Sequence, residues 1–290
     1  MKTIFIATDF SQASHIASKY AVELASAMGA NIVLFHAYSV PLSIPESYVI
    51  VSPEDVKKSS EDYLLEEVVK LRKSTFQPID ILAVEGGTVE TIINTSKKYD
   101  NCIIVVGMKG EGKSVRKFFG STTSALARKS YTPMLIVPES ATFSSLNRIA
   151  LAVDDNINEH LQQIDVLKGL GETYKSKIFV VRVFDNDMSV VDELAYRSKS
   201  IISKLMPLDV EFKFPRGDDV TIALENFADD NSIDLLTIIP HYHSFFERLF
   251  SKSETRQLLF HSHIPLLLLP DIKVEIKERK KIMTHQKNGV

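Results

Sequence analysis

The residues best suited to chemistry lie in one stretch, Gly107–Thr123, which combines glycines, cations and hydroxyl side chains. It follows the apolar run Cys102–Val106, which is typical of a buried strand. Glycines let backbone amides approach a ligand closely, and consecutive amides in a turn form a concave anion site. Hydroxyls and free amides at a helix start also suit phosphate, and the next segment, Ser124–Lys129, has helical composition. The stretch therefore predicts a site for the phosphates of a nucleotide. Its positive charge comes from Lys109, Lys113, Arg116 and Lys117.

Two motif spacings fit this stretch, and they imply different proteins. The pattern Gly107-x4-Gly112-Lys113-Ser114 satisfies the Walker A motif of P-loop NTPases. The pattern Gly107-x2-Gly110-x9-Gly120-Ser121 satisfies a second nucleotide-binding spacing. A motif is confirmed only by the elements before and after it, so the surrounding chain has to decide between the two.

The composition is that of a globular protein able to bury a sizeable core. Of the 290 residues, 44% are hydrophobic and 24% are charged, and the net charge is −3. This charge balance indicates neither a nucleic-acid nor a membrane partner, and no apolar run reaches the ~18–20 residues of a membrane span. No leader pattern precedes the first strand pattern, and the single cysteine, Cys102, has no internal partner. We expect a cytoplasmic protein in which Cys102 is an inert core residue.

Strand and helix patterns alternate along the first half of the chain. Strands are predicted at residues 3–8, 31–37, 79–84, 102–106 and 134–138, and helices at 12–28, 54–73, 88–98 and around Ala125. Ser11 is suited to cap the first helix and Gly29 to end it. Residues 39–53 are predicted to form a loop long enough to act as a lid. This alternation predicts an α/β fold, with a parallel sheet and helices on both faces.

Ligands of such sheets bind outside the carboxyl ends of the strands, where the strand order reverses. Asp9, the pair His36–Ala37 and Gly107 all lie at predicted strand ends. We expect them to converge on one crevice.

The same order of elements then starts again. Arg148–Asp154 resembles the first strand with its aspartate, and Ile264–Pro270 repeats Thr132–Pro138 almost position for position. The separation between Thr132 and Ile264 in the chain is far longer than a solenoid repeat, which is only ~20–50 residues long, so it indicates a tandem domain duplication. The predicted organisation is a first domain at 1–139, a linker at 140–146, a second domain at 147–272 and a basic tail at 273–290.

The second copy lacks the glycine stretch. Pro240 stands where Gly107 would be, His243 where Gly110 would be, and Lys252-Ser253 where Gly120-Ser121 would be. Proline and histidine block both close backbone approach and positive φ angles. We therefore expect the second domain not to bind a nucleotide in the same way.

The surrounding elements favour the second spacing. Gly120 interrupts any helix that starts at Lys113, the stretch follows the fourth strand of its domain, and no later strand ends in a magnesium-binding aspartate. With Thr8-Asp9-Phe10-Ser11, His36-Ala37 and Pro133–Pro138 around it, the spacing resembles that of the universal stress protein family. The resemblance covers residues 1–139 strongly and 147–271 more weakly, and it implies two tandem Rossmann-like domains.

The resemblance also implies a pose for ATP, with a divalent ion such as Mg²⁺. Asp9, with Ala7 and Thr8 beside it, would border the adenine and ribose, and Ala37 would lie near the base. The ribose and first phosphates would lie over Gly107, Met108, Lys109 and Gly110. The outer phosphates would receive amides and hydroxyls from Gly120, Ser121, Thr122 and Thr123. Family members of this type bind ATP with at most slow hydrolysis. Since no general base is evident, we predict a binding protein and not an enzyme.

Other chemistries have weaker support. His241-x-His243 and His261-x-His263 have a spacing that suits a metal, but they lack accompanying carboxylates or cysteines, so no metal site is predicted. His36 is expected to pack at a strand end. The sequence predicts a nucleotide-gated signalling protein with an unknown protein partner, as a homodimer or as an intrachain pair of its two domains. The alternatives are a P-loop NTPase that uses Lys113 and Ser114, and a scaffold that binds no nucleotide.

Overall fold

The computed structural model describes residues 2–40, 52–108, 121–153, 164–184, 199–239 and 263–270. The chain divides into two compact units, Met1–Ser144 and Ser145–Val290. The division falls inside the segment 140–146 that the sequence suggests as a linker. Each unit is an α/β fold built on parallel strands, as predicted.

The first unit alternates strands and helices along the chain. Its strands pair in parallel in the order β3-β2-β1-β4-β5. Its elements are β1 (Thr3–Ala7), α1 (Gln12–Met28), β2 (Asn31–Tyr38), α2 (Pro53–Leu71), β3 (Ile79–Glu85), α3 (Thr88–Ser96), β4 (Cys102–Met108), α4 (Ser121–Lys129) and β5 (Met134–Pro138).

The strand order of the first unit reverses between β1 and β4. The chain moves outward from β1 to β3 and then returns to add β4 and β5 on the other side of β1. Parallel crossovers are right-handed, so α1 and α2 cover one face of the sheet and α3 and α4 the other. Contacts between α1 and α2 and between α3 and α4 agree with this arrangement.

The second unit repeats this strand order, in agreement with the predicted fold of two tandem α/β domains. Its strands pair in parallel in the order β10-β9-β6-β7-β8, and its first strand again lies between its second and its fourth. Its elements are β6 (Arg148–Ala152), α5 (Asp165–Tyr174), β7 (Lys177–Val181), α6 (residues 199–205), β8 (Asp209–Lys213), α7 (Val220–Asp230), β9 (Leu235–Ile238) and β10 (Leu266–Leu268).

The core of the first unit lies on its central strands. Phe5 on β1 and Phe35 on β2 are fully buried, with ring centroids 4.9 Å apart. Cys102 at the start of β4 is a buried free thiol, and burial raises its pKa to about 12. The predicted inert role of Cys102 agrees with this environment, because the thiol stays protonated.

Both predicted ends of α1 are confirmed. The Ser11 hydroxyl accepts a hydrogen bond from the Ser14 amide at the N-cap, and Gly29 ends the helix with φ of 59°. That left-handed conformation is one that glycine adopts without steric cost.

The sequence prediction for α2 is partly wrong. The helix runs from Pro53 to Leu71, with Ser52 as its N-cap, whereas the sequence predicts residues 54–73, and Leu65 is 52% exposed although it is apolar. The buried positions are Ser60, Leu64, Glu67 and Leu71. They follow the helical period and place Glu67 inside, whereas Leu65 lies about 100° round the helix from Leu64.

Candidate functional site

The strand ends at the reversal of strand order bring several predicted site residues to one edge of the first sheet. Ala7 ends β1 and is followed by Thr8 and Asp9, while Gly107 and Met108 end the neighbouring β4. Ala37 lies near the end of β2, on the other side of β1. Parallel sheets bind ligands at this place, because the connections from the two central strands diverge there.

Thr8 is buried and all of its polar groups have partners. Its amide donates to the Phe35 carbonyl over 2.9 Å, as if β1 continued for one more residue. Its hydroxyl donates to Ser14 Oγ over 3.1 Å and accepts from the Phe10 amide over 3.0 Å. Its carbonyl accepts from His36 Nδ1 over 2.8 Å. Thr8 therefore holds the β1–α1 turn in place, and each of its polar groups is hydrogen-bonded within the protein.

Asp9 differs from Thr8 because its side chain is exposed at the same edge. Its Oδ1 accepts a 3.0 Å hydrogen bond from the Ser11 amide within the turn. Desolvation acts to raise the pKa of Asp9, but hydrogen bonds from Ser11 and Ser14 outweigh it and hold the pKa below its usual value. The carboxylate is therefore ionised at neutral pH and suited to accept hydrogen bonds from ligand hydroxyls.

Gly107 has a packing reason to be glycine that involves no ligand. A Cβ built on it would overlap the Ala13 carbonyl and lie 2.8 Å from the Ser14 nitrogen, both in the first turn of α1. The sequence prediction placed Gly107 and Met108 in a loop after the strand. The structure corrects this, because both residues belong to β4 and pair with Val137 and Pro138 of β5.

Met108 closes the end of β4. Its side chain is 4% exposed, and its carbonyl accepts a 3.0 Å hydrogen bond from the Glu139 amide. The apolar side chain is buried in the first unit, and only the backbone of Met108 lies at the edge that a ligand would approach.

The predicted hydroxyl residues Ser121, Thr122 and Thr123 are the first described residues of α4. Ser121 is exposed, Thr122 is partly buried and Thr123 is buried. Ser121 and Thr122 are therefore the hydroxyls that a ligand can reach. The remaining predicted site residues, Lys109, Gly110 and Gly120, lie outside the described residues, as do Gly112, Lys113, Ser114, Arg116 and Lys117.

Several other predictions also fall outside the described residues. These are the loop at 41–51, Asp154, Pro240, His241, His243, Lys252, Ser253, His261 and the tail at 273–290. Among the residues that the structure does describe, no group of three or more His, Cys, Asp or Glu side chains is placed to hold a metal ion. Within the same residues, no helix is long and apolar enough to cross a bilayer.

Sequence reasoning gave no role to three residues around Asp9, namely Phe10, Tyr63 and Ser14. Phe10 has a positive φ of 62°, which no local pattern predicts for a phenylalanine. Its ring centroid lies 4.5 Å from that of His36 and 5.5 Å from that of Tyr63 on α2. Ser14 was also missed, although its spacing from Ser11 within the first helical turn was a usable signal.

The comparison with known proteins agrees with the architecture. Residues 1–138 match the model of the family described as "Universal stress protein family". Universal stress protein Slr1230 of Synechocystis sp. (strain ATCC 27184 / PCC 6803 / Kazusa) is 24% identical over 92% of this chain and 99% of its own length. Universal stress protein Rv2623 of Mycobacterium tuberculosis (strain ATCC 25618 / H37Rv) is 23% identical over 63% of this chain and 58% of its own.

A solved structure extends the likeness to the second unit. The universal stress protein from Archaeoglobus fulgidus DSM 4304 superposes with a TM-score of 0.73 at 16% identity, over 92% of this chain and 98% of that one. Strand order and superposition define an α/β protein of two units whose parallel strands follow the same order. The family match assigns the first unit, over residues 1–138, to the universal stress protein family.

Proposed function

We propose that the first unit binds ATP with Mg²⁺ at the carboxyl edge of β1 and β4, and that occupancy of this site alters a surface that a partner protein recognises. The observation that carries the proposal is the position of Asp9. Its ionised, exposed carboxylate lies at the reversal of strand order, beside the strand whose continuation leads to the hydroxyl-rich start of α4. A nucleotide needs a hydrogen-bond acceptor for its sugar hydroxyls and an anion site for its phosphates. The Asp9 carboxylate would supply the acceptor, and the start of α4 would supply the anion site.

The residues present fit such a ligand. Asp9 would accept from the ribose, and Ala37 and the Ala7–Thr8 backbone would border the base. Ser121 and Thr122 open a helix, where free amides and hydroxyls favour an anion. By its resemblance to the family motif, the glycine stretch would add Lys109, Gly110 and Gly120 around the phosphates. Bound Mg²⁺ would neutralise phosphate charge, and the protein is proposed to bind the nucleotide with at most slow turnover.

The second unit is proposed to have no equivalent site. Val153 N donates to the Val181 carbonyl over 3.0 Å, as Thr8 N does to Phe35, so the two residues occupy the same place in their sheets. Valine lacks the hydroxyl that holds the Phe10 amide and Ser14 in the first unit. The expected stoichiometry is therefore one nucleotide per chain.

A P-loop NTPase is the competing function. It would place a helix N-terminus directly after Gly112-Lys113-Ser114. In the sequence, Gly120 interrupts any helix that starts at Lys113. This interruption favours a phosphate contact at Gly120 and Ser121 over one at Lys113.

Calorimetric titration of ATP–Mg²⁺ into the full chain tests the proposal. We expect one site per chain and an affinity loss of about tenfold or more in Asp9→Ala, because a hydrogen bond to a charged group is removed. Gly120→Val should abolish binding, whereas Lys113→Ala should retain it. Asp154→Ala is the matched control, since Asp154 follows β6 as Asp9 follows β1.

The outcomes separate the competing functions. Loss of binding and of magnesium-dependent turnover in Lys113→Ala, with Gly120→Val unaffected, would support the P-loop NTPase. Absence of binding by the unchanged protein would leave a scaffold that binds no nucleotide. Equal losses in Asp9→Ala and Asp154→Ala would contradict a site confined to the first unit.

A further inference from the structure

Phe10 holds an unfavourable backbone conformation directly beside Asp9. Its φ of 62° lies in the left-handed region, which bulky side chains rarely occupy. Such a conformation persists only where neighbouring contacts hold it. The Phe10 amide is fixed by Thr8 Oγ1 at 3.0 Å, and its ring lies between His36, at 4.5 Å, and Tyr63, at 5.5 Å.

His36 fixes the residue on the other side of Asp9. A carbonyl oxygen can only accept, so the 2.8 Å contact between His36 Nδ1 and Thr8 O places the proton on Nδ1. The same imidazole packs against Phe10 through its ring. One side chain of β2 therefore holds both Thr8 and Phe10.

Asp9 itself has no comparable anchor among the described residues. The hydrogen bonds that lower its pKa come from Ser11 and Ser14, which belong to its own turn and to the helix that follows. The direction of its carboxylate therefore depends on the turn from Thr8 to Ser11, in which Phe10 lies between Asp9 and its hydrogen-bond partner Ser11.

We infer that Phe10, His36 and Tyr63 form an aromatic clamp that positions the Asp9 carboxylate towards the sugar of a bound nucleotide. The inference rests on the proposed function and adds three positioning residues to it: Phe10 in the β1–α1 turn, His36 on β2 and Tyr63 on α2. The clamp acts through Asp9 and touches no ligand atom. It couples the sugar-binding carboxylate to α2, an element that no motif connects with the site.

The exposure of Tyr63 supports a positioning role over a core-packing one. Its side chain is 53% exposed, so its ring contributes little to the buried core. Its ring contact is with Phe10, across the distance between α2 and the β1–α1 turn. Tilted aromatic pairs at such separations are favourable and directional, which makes them suited to fix one loop conformation.

Discrimination between ATP and 2′,3′-dideoxy-ATP tests the clamp. If Asp9 accepts from the ribose, the unchanged protein should prefer ATP by about tenfold, since loss of the hydroxyls leaves the carboxylate unpaired. Asp9→Asn should remove most of this preference. Tyr63→Ala and His36→Phe should reduce it at least threefold, mainly by weakening ATP binding, as expected when a hydrogen bond to a charged group is misaligned.

Two further variants separate positioning from general stability. Tyr63→Phe keeps the ring and should retain the preference for ATP. Leu65→Ala truncates a side chain of the same helix that is 52% exposed, and it should leave both affinities unchanged. His36→Phe keeps a ring against Phe10 but removes the donor to Thr8, so its thermal midpoint has to be measured together with its affinities. If His36→Phe does not fold, the result for Tyr63→Ala tests the clamp by itself, because truncating an exposed side chain should not prevent folding.

The failure of the clamp and that of the proposed function give different results. A preference for ATP that depends on Asp9 and persists unchanged in Tyr63→Ala would overturn the clamp and leave the nucleotide site intact. An equal loss of both nucleotides in Tyr63→Ala would also overturn it, because a general structural effect does not select the sugar. If the unchanged protein bound neither nucleotide, the proposed function would fail and the clamp with it.

Discussion

Gly107 on β4 lies so close to Ala13 on α1 that a methyl group on Gly107 would overlap the Ala13 carbonyl. The contact is between backbones, and neither partner can rotate away as a side chain would. It fixes the distance between the end of β4 and the first turn of α1, the two elements that border the candidate site.

Gly107→Ala should destabilise the first unit by about 1–3 kcal/mol, because an added methyl group in a closed contact forces backbone shifts. Gly87→Ala is the matched control. A Cβ there would meet only the end of the flexible Glu90 side chain, at 3.0 Å, and that side chain can move. Urea denaturation of both variants measures the difference. Equal stabilities would show that α1 shifts freely away from β4.

The His15–Glu67 pair should stabilise the packing of α1 on α2. His15 Nδ1 donates to Glu67 Oε1 over 2.6 Å, and the Glu67 side chain is only 3% exposed. His15→Ala should cost about 1.5–3 kcal/mol, because it removes a hydrogen bond to a buried charged group. Lys57→Ala breaks a 3.8 Å pair with Glu61 on the exposed part of α2, and it should cost less than about 0.5 kcal/mol.

A double-mutant cycle isolates the contribution of this pair. Glu67→Leu should be less harmful in the His15→Ala background than alone, since it then also removes a buried carboxylate whose described partner is the exposed Lys70, at 3.4 Å. Additive effects of the two substitutions would mean that the 2.6 Å contact contributes no coupling energy.

Two substitutions each introduce the residue found at the corresponding position of the other unit, and they should change stability in opposite directions. Thr8→Val introduces the residue of the second unit and should cost about 1–2 kcal/mol, because the Phe10 amide and Ser14 lose a partner. Thr237 on β9 is fully buried, and among the described residues its hydroxyl has no hydrogen-bond partner. Thr237→Val introduces the residue type of Val105 in the first unit and should be neutral or stabilising.

Amide hydrogen exchange measures the two effects separately, because the protection of backbone amides is obtained for each unit. Protection should fall in β1 and β2 for Thr8→Val and hold or rise in β6 and β9 for Thr237→Val. A loss of protection in β9 of Thr237→Val would indicate that the Thr237 hydroxyl has a partner.

The second unit should lose stability as the pH rises from about 4.5 towards 7. Burial, with the nearby charges of Asp229 and Asp219, raises the pKa of Glu225 from 4.5 to about 7. Below pH 4.5 the carboxyl group is protonated in both the folded and the unfolded state, so the free energy of unfolding carries no penalty. Between the two values only the folded state keeps the proton, so stability falls with rising pH and levels off above about 7.

Partial exposure of Glu225 limits this effect to about 2 kcal/mol, less than the full pKa shift would give. Glu225→Gln should remove the pH dependence and increase stability at pH 8. Denaturation followed by circular dichroism between pH 4 and 8 measures both variants. A pH dependence that persists in Glu225→Gln would assign the effect to another group.

The sequence predicted the elements that depend on local signals. Ser11 and Gly29 marked the ends of α1 because capping uses residues within one turn of the helix end. Alternating apolar runs were sufficient to predict the parallel α/β fold, and the repeated order of those runs was sufficient to predict the duplication.

What the sequence did not predict depends on contacts between distant residues. The helical period places Glu67 on the same face as Leu64 and Leu71, but no local pattern indicates the partner of its carboxylate, because the donor, His15, lies 52 positions earlier in the chain. The roles of His36, Phe10 and Tyr63 depend on the packing of β2 and α2 around the β1–α1 turn, which periodicity does not specify. The motif drew attention to the glycine at position 107 as a ligand contact, whereas the structure gives it a packing role against α1 that the motif did not suggest.

The hydrogen bond from Val153 to Val181 identifies a position at which the two units can differ. Both units keep this backbone pairing, although the donor residue is threonine in the first unit and valine in the second. Backbone pairing places no demand on the identity of the side chain, so the strand pairing is compatible with either residue. The edge of each sheet can therefore carry a different turn chemistry on the same backbone framework.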